Sequence, residues 1–167
     1  MIPNNLTNFN KFFDSYNTPV QINWIESLTS LIGTFIVNSK IYQIKCVNRT
    51  NDIWTYKFYL YRGGQLFPDL TNYQTGRMSI LSTIRQGIKY LIDTKSPKSI
   101  IFAALDESEG RKKLYWRYSK ELEKEYSYSL ITKNVSDKQI FFLYKNISVN
   151  TILLVLDDIV RDTLDEI

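Results

Sequence analysis

The chain has 167 residues, of which 44% are hydrophobic and 23% are charged, values typical of one globular domain. It contains no histidine and a single cysteine, Cys46, which excludes Ser-His-Asp and Cys-His catalytic sites, histidine-ligated metals and intrachain disulfides. Any metal would have to be a hard ion held by carboxylates, and we predict none. The net charge of +4 is scattered apart from residues 111–113 and Arg117, which is weak support for nucleic-acid binding.

The sequence predicts an intracellular protein without membrane contact. Residues Met1 to Asn5 lack the charged start and apolar run of a signal peptide. Apolar stretches such as Ile152 to Leu156 are far shorter than the roughly 20 residues that a membrane-spanning helix needs. The lone cysteine fits a reducing compartment.

The first part of the chain predicts a short helix followed by a strand meander. Three phenylalanines indicate a helix over Leu6–Tyr16. Runs of alternating or aromatic residues, separated by polar turns, predict four strands: Val20–Trp24, Gly33–Val37, Ile41–Val47 and Ile53–Tyr61. Short connections make such a meander antiparallel. The segment Gln65–Gln74 is predicted as a loop.

The middle of the chain predicts a helix–strand–helix unit. Apolar residues recur every three or four positions between Gly76 and Pro97, which indicates an amphipathic helix with a stripe of Met78, Leu81, Ile84, Ile88 and Leu91. The continuously apolar run Ser99–Ala104 is typical of a strand buried on both faces. After a turn over Asp106–Gly110, a second helix over Arg111–Lys124 is predicted to bury Leu114, Tyr115, Tyr118 and Leu122.

The last part predicts a hairpin and a terminal helix. The hairpin strands are Tyr126–Ile131 and Gln139–Tyr144, and the helix over Val149–Ile167 has an apolar stripe of Leu153, Leu156, Val160 and Leu164. The complete order of elements predicts an α+β fold. We expect a single domain over 1–167, with an N-terminal extension over 1–33 and a C-terminal helix over 149–167.

Residues 41–145 resemble the GNAT-type N-acetyltransferase fold, in which a strand meander, a pyrophosphate-binding helix, a central strand, a second helix and a closing hairpin follow one another. The most similar segment runs from Ile100 to Tyr115 and carries the pair Leu114-Tyr115 on its helix. In active family members the tyrosine of this pair often protonates the departing thiolate. The resemblance therefore implies that Tyr115 is the general acid of an acyltransferase.

The same resemblance points to coenzyme A or acetyl-CoA as the cofactor. Active members carry Arg/Gln-x-x-Gly-x-Gly/Ala before the first helix, so that backbone N–H groups reach the pyrophosphate. This chain reads Gln74-Thr-Gly-Arg-Met-Ser79, with one glycine, Gly76, one position early for the pattern. The family pattern makes Gln74, Gly76, Arg77 and Ser79 the candidate cofactor-binding residues. The alternative is that Gly76 is a simple turn residue and that acetyl-CoA chemistry is lost.

The helix–strand–helix unit also resembles uncharacterised proteins of tailed bacteriophages. The matching residues are Thr75-Gly76, Phe102, Ala104, Ser108, Arg111, Leu114, Tyr115 and Arg117. This resemblance implies a phage-encoded protein that lies in the host cytoplasm or associates with the virion. It implies no particular reaction.

The second long helix carries the candidate contact residues. Trp116 lies off the apolar stripe, and Arg, Tyr and Trp are enriched at binding hot spots. We therefore expect Arg111, Trp116 and Arg117 to contact a protein partner. The alternative is that the arginines form ion pairs within the chain, Arg111 with Glu107 or Asp106.

Three functional hypotheses remain open at this level. The leading one is a phage accessory protein of GNAT-like fold that binds another macromolecule. The second is an acyl-CoA-dependent N-acyltransferase with Tyr115 as general acid. The third is nucleic-acid binding through Lys112, Lys113 and Arg117, whose affinity would fall steeply with salt. The structural alternative for Arg117 is an ion pair with Glu121.

Overall fold

A computed structural model describes residues 19–67, 77–105 and 109–164 of the chain. The predicted helix over Leu6–Tyr16 lies outside these residues. So do Gln74, Gly76, residues 106–108 of the predicted turn, and the last three residues of the predicted terminal helix. The side chains of residues 67, 105, 155 and 158–164 are also left undescribed.

The described residues form strands and helices in the predicted order, and the α+β class is confirmed. The strands are β1 Asn23–Glu26, β2 Ser30–Val37, β3 Lys40–Thr50, β4 Ile53–Arg62, β5 Gln65–Phe67, β6 Ser99–Leu105, β7 Ser129–Val135 and β8 Lys138–Tyr144. The helices are α1 Arg77–Lys95, α2 Glu109–Tyr126 and α3 Val149–Leu164. In this part of the chain, none of the helices is both long and apolar enough to cross a bilayer.

The strands form one mixed sheet in the order β1-β2-β3-β4-β6-β8-β7, with β5 paired to β4. Strands β1 to β5 form an antiparallel meander, and β8 pairs antiparallel with both β6 and β7. Strands β4 and β6 are parallel, because α1 carries the chain back across the sheet between them. This meander, crossover and closing hairpin is the arrangement that the N-acetyltransferase resemblance implies.

The meander turns at three pairs of residues with left-handed backbone conformation. The φ angles are 51° and 65° at Asn38–Ser39, 47° and 59° at Asn51–Asp52, and 57° and 81° at Gly63–Gly64. Two consecutive left-handed residues make a type I′ turn, whose twist matches that of the flanking strands and which favours Asn, Asp and Gly. The polar and glycine-rich turns of the sequence therefore fix the register of the strands that they join.

Alternate residues of the central strands contribute to two cores on opposite faces of the sheet. Ile100 and Phe102 belong to the core that includes α1 and α2, whereas Ile101 and Phe142 belong to the core that includes α3. Successive side chains of a strand point to opposite faces, so α1 and α2 cover one face and α3 covers the other. The predicted burial of Ser99–Ala104 on both faces is confirmed.

Helix α1 approaches the sheet closely at Gly87. A Cβ atom at this position would lie 2.6 Å from Ile44 Cδ1 and 2.7 Å from Tyr56 Oη. The Tyr56 hydroxyl donates a hydrogen bond of 2.6 Å to the carbonyl of Ile84. The missing side chain at Gly87 therefore lets the helix come close enough for this buried bond to form.

The segment before β1 packs across α1. The N–H of Val20 donates to Thr83 Oγ1 at 2.9 Å, and Trp24 stacks on Tyr90 with ring centroids 4.5 Å apart. The predicted strand Val20–Trp24 is therefore wrong at its start. Strand β1 begins only at Asn23, because the N–H of Val20 bonds to the helix and does not pair with a neighbouring strand.

Other boundaries also differ from the prediction. The first residues of the predicted loop Gln65–Gln74 form β5, because the Gly63–Gly64 turn folds the chain back along β4. Helix α2 extends to Tyr126, and Ser127, with a φ of 61°, ends it. Strand β7 therefore begins at Ser129 and not at Tyr126.

The buried stripe of α3 also differs from the prediction. Leu153 is 45% exposed, whereas Ile152 and Leu156 are 2% and 1% exposed and pack on the sheet. Both the predicted stripe that includes Leu153 and the observed pair Ile152 and Leu156 have helical spacing. Docking on Ile140 and its neighbours selects which of them is buried.

Candidate functional site

Strands β4 and β6 lie side by side over only three residue pairs, from Ile53↔Ser99 to Thr55↔Ile101. Beyond these pairs β4 continues along β3 and β6 continues along β8. From Tyr56 onward, no residue of β4 pairs with β6 in the described part of the chain. The centre of the sheet therefore opens after these pairs, between residues 56–59 of β4 and the C-terminal half of β6, while the end of β4 pairs with β5 on the same edge.

Helices α1 and α2 both begin at this open end. Helix α1 runs antiparallel to β4, and α2, which follows β6, runs antiparallel to that strand. Later residues of α2 contact later residues of α1. Tyr118 Oη donates to the Leu81 carbonyl at 2.9 Å, and Arg85 Nε donates to Glu121 Oε2 at 2.6 Å. The helices are therefore parallel neighbours, and the positive ends of both dipoles lie at the open end, where they stabilise negative charge.

Tyr115 lies over the opening in an aromatic cluster. Its ring stacks on Phe102 of β6 with centroids 5.1 Å apart, and it meets Phe58 of β4 edge-on at 5.9 Å. Phe141 of β8 completes the contact at 6.1 Å, and Tyr115 is only 1% exposed. On the side of α2, this aromatic cluster spans the gap between the two parted strands.

The charge state of Tyr115 is set by burial and by Arg111. Burial raises the pKa of the phenol, because the phenolate would be poorly solvated, while the charge and hydrogen bond of Arg111 act in the opposite direction. The Arg111 guanidinium lies 4.3 Å from the centre of the Phe58 ring. Arg111 thus faces the aromatic cluster from the start of α2. Its expected acidic partners, Asp106 and Glu107, lie outside the described residues.

Cys46 and Tyr118 are two further buried titratable groups. The thiol of Cys46 is buried, and burial raises its pKa, so it is not a ready nucleophile. Burial also raises the pKa of Tyr118, whose hydroxyl is hydrogen-bonded to α1. Within the described ranges, no group of three or more His, Cys, Asp or Glu residues is placed to hold a metal ion.

Two of the four predicted cofactor-binding residues fall within the described chain. Arg77 is the first residue of α1 and is exposed. Ser79 is half-buried, and its carbonyl accepts a 2.6 Å hydrogen bond from Thr83 Oγ1. Both lie in the first turn of α1, at the same end of the sheet as Tyr115. Gln74 and Gly76 precede the described part of this helix.

Trp116 and Arg117 lie on the outer face of α2. Trp116 is 47% exposed, and Lys120 Nζ lies 4.5 Å from the centre of its ring. The expected ion pair between Arg117 and Glu121 is wrong, because Glu121 points toward α1 and binds Arg85. Arg117 is therefore exposed without this intrahelical partner.

Some site residues were missed by the sequence patterns. Phe58 and Phe102 belong to different strands, and no local pattern joins them to Tyr115. Lys120 and Lys124 were missed although a signal exists, since they follow Arg117 at three and seven residues and thus share its side of a helix.

No protein-family model matches this chain, and a comparison with curated proteins finds no match. Among solved structures, the chain is similar to the N-acetyltransferase PseH from Campylobacter jejuni, with 13% identity, a TM-score of 0.44, and coverage of 85% of this chain and 81% of that one. It is also similar to a mutant of the spermidine N-acetyltransferase SpeG from Vibrio cholerae, with 6% identity, a TM-score of 0.47, and coverage of 83% and 74%. At these values, neither structure says what this chain binds or catalyses.

Proposed function

We propose that this chain is a phage-encoded accessory protein of the host cytoplasm that acts by binding another macromolecule and does not transfer acetyl groups. The observation that carries the proposal is the burial of Tyr115. A general acid must come within hydrogen-bond distance of the leaving group. The Tyr115 side chain is 1% exposed and is packed against Phe58, Phe102 and Phe141 in the described part of the chain, so a thioester sulfur could reach it only if part of this cluster moved.

The contact surface in this proposal is the outer face of α2. Trp116 is a large, partly exposed aromatic residue, and Arg117 is exposed beside it. Such residues carry much of the binding energy at macromolecular interfaces. Arg111 contributes differently, since its guanidinium lies against the Phe58 ring from the start of α2 and it is only half-buried.

A second candidate function is acyl transfer from acetyl-CoA, and one observation favours it. Strands β4 and β6 part after Thr55 and Ile101, and the N-termini of α1 and α2 lie at that opening. In this alternative Arg77 and Ser79, with Gln74 and Gly76, hold the pyrophosphate. Tyr115 would then have to leave its cluster to reach the sulfur.

Titration calorimetry with coenzyme A and acetyl-CoA separates the two functions. In calorimetry we expect no saturable heat. In NMR spectra we expect no shift of the backbone amide resonances of Arg77 to Ile80 on addition of either compound. In an activity assay with primary amines we expect no thiol release from acetyl-CoA. Saturable binding together with acetyl transfer that is lost in Tyr115→Phe would overturn the proposal. This variant keeps the aromatic stack and loses only the hydrogen bond with Arg111, so it should fold with a loss of about 1 kcal/mol.

A further inference from the structure

The outer face of α2 carries a row of cations that recur at helical spacing. Lys113, Arg117, Lys120 and Lys124 follow one another at four, three and four residues and are all exposed. At a rise of about 1.5 Å per residue the row is about 16 Å long. We call these four residues the basic stripe.

The packing of α2 against α1 separates the charges of this helix. Two of its acids are drawn to the inner side, where Glu121 binds Arg85 at 2.6 Å and Glu125 binds Lys89 at 3.2 Å. At the start of the helix Lys112 binds Glu109 at 2.7 Å, which removes that lysine from the row. A sequence of mixed charges therefore becomes a helix with a neutralised inner side and a basic outer side.

Among the described residues, acidic side chains neutralise little of the positive charge of the basic stripe. Lys120 binds Glu123 at 3.0 Å. Lys113, Arg117 and Lys124 form no ion pair with any residue that the structure describes. An uncompensated row of like charges is unfavourable in the isolated chain and becomes favourable against an anionic partner.

Trp116 lies within the stripe, between Lys113 and Lys120 on the same side of the helix. Tyr115 and Tyr118, on the inner face of the helix, are buried. Trp116, on the outer face, is 47% exposed. The ammonium of Lys120 lies 4.5 Å from the centre of the indole, which holds the ring beside the cations. The stripe thus combines several point charges with one flat aromatic surface.

This combination of cations and one aromatic side chain favours nucleic acid over an acidic protein as the anionic partner. Lysine is depleted in the cores of protein–protein interfaces, where Arg and aromatic residues dominate. Lysine binds phosphate as a point charge, and an aromatic side chain among cations provides a platform for an unpaired base. Three of the four cations here are lysines.

We propose that the basic stripe and Trp116 bind single-stranded nucleic acid, with the four cations on successive phosphates and one base stacked on the indole. The proposal rests on the proposed function, of which it names the partner, and it departs from the expectation of a protein partner. Base stacking on Trp116 requires an unpaired strand, so a duplex is the poorer ligand.

The test is the fluorescence anisotropy of a labelled oligothymidylate of about 20 nucleotides, a length that covers the site sizes of such proteins. With four phosphate contacts, raising the salt from about 50 to about 200 mM should weaken binding about 50-fold. The double variant Lys113→Gln/Lys124→Gln should show only about a 7-fold effect of the same change. Trp116→Ala should lower the affinity about 10-fold at constant salt.

The matched control is Lys98→Gln/Lys133→Gln, which removes two exposed lysines outside α2 and should bind the oligonucleotide like the unaltered chain. Circular dichroism checks that every variant is folded. The proposal is overturned by absence of binding at low salt, by equal weakening in the control, or by equal affinity for a polyglutamate peptide, which would favour an acidic protein as the partner. Acetyl transfer in the coenzyme A assay would instead remove the proposed function itself, so the two failures are distinguishable.

Discussion

At the residue scale, buried tyrosines tie the helices and turns to the sheet. Tyr128 is 3% exposed, and its hydroxyl donates a 2.6 Å hydrogen bond to the carbonyl of Pro97, just before β6. Burial raises the pKa of Tyr128 to about 12, and repulsion from the phenolate form of Tyr126 acts in the same direction. The folded protein therefore holds this proton at pH values where an unfolded chain has lost it.

This difference predicts how stability responds to alkaline pH. An unfolded tyrosine ionises near pH 10, so above about pH 10 the unfolded state binds fewer protons and the free energy of unfolding falls as pH rises toward 12. In Tyr128→Phe we expect a loss of about 1 kcal/mol at neutral pH and a shallower alkaline fall. Urea unfolding across this pH range measures both. An equally steep fall in the variant would contradict the assignment, and equal slopes below about pH 9 serve as the control.

Tyr115 shows why residue identity alone does not assign a role. The pair Leu114-Tyr115 is the residue pattern that suggests a proton donor. The structure surrounds that tyrosine with Phe58, Phe102 and Phe141, which come from three different strands. Aromatic pairs of this kind stabilise a core beyond the area that they bury.

At the element scale, the contact between α1 and the sheet depends on Gly87. Helix interiors disfavour glycine by about 1 kcal/mol relative to alanine, so its presence in α1 requires a compensating benefit. That benefit is close approach, since a Cβ atom would lie 2.6 Å from Ile44 and 2.7 Å from the Tyr56 hydroxyl. The buried hydrogen bond from Tyr56 to Ile84 depends on the same approach.

We therefore predict that Gly87→Ala destabilises the protein by about 1–3 kcal/mol, despite its higher helix propensity, because α1 must move away from the sheet. Chemical unfolding measures the change. The matched control is Gly110→Ala in α2, where a Cβ atom would meet nothing within 4 Å. This control should be neutral or slightly stabilising. Equal effects of the two substitutions would show that backbone propensity, and not close packing, decides.

Parallel packing of α1 and α2 has an electrostatic consequence at the same scale. The ion pairs of Glu121 and Glu125 with α1 involve partly exposed side chains, so their contribution to stability is small. Their larger effect is to orient the two carboxylates away from Trp116. The basic outer face of α2 is thus a product of how two helices meet.

At the scale of the whole molecule, the sheet separates two cores of unequal extent. The core with α1 and α2 extends from Leu31 in β2 to Leu143 in β8, whereas the core with α3 is centred on Ile101, Ile140 and Phe142. Residues Ile152 and Leu156 attach α3 to this smaller core. Helix α3 is therefore a cover for the β6–β8 half of one face.

Two leucines of α3 test this arrangement. Leu156→Ala should destabilise the protein by about 2–5 kcal/mol, because the side chain is 1% exposed in the smaller core. Leu154→Ala should change stability by less than about 0.5 kcal/mol, since that side chain is 82% exposed. Thermal unfolding of both variants measures the difference. Similar losses would mean that the outer side of α3 is also packed in solution.

The sequence by itself determined the order of elements apart from β5, the places of the polar turns and the burial of β6 on both faces, because these follow from local periodicity and backbone preference. Element boundaries depended on neighbours: β1 starts late because Val20 bonds to α1, and β5 exists because β4 offers an edge.

Only the tertiary structure decided which residues of the helix–strand–helix unit are buried and which are exposed, because this depends on contacts between residues far apart in the chain. The opening between β4 and β6, the aromatic cluster around Tyr115 and the inward turn of Glu121 all depend on long-range packing. Tyr115, which suggested a general acid, is thereby packed in an aromatic cluster, and the outer face of the same helix carries cations and Trp116.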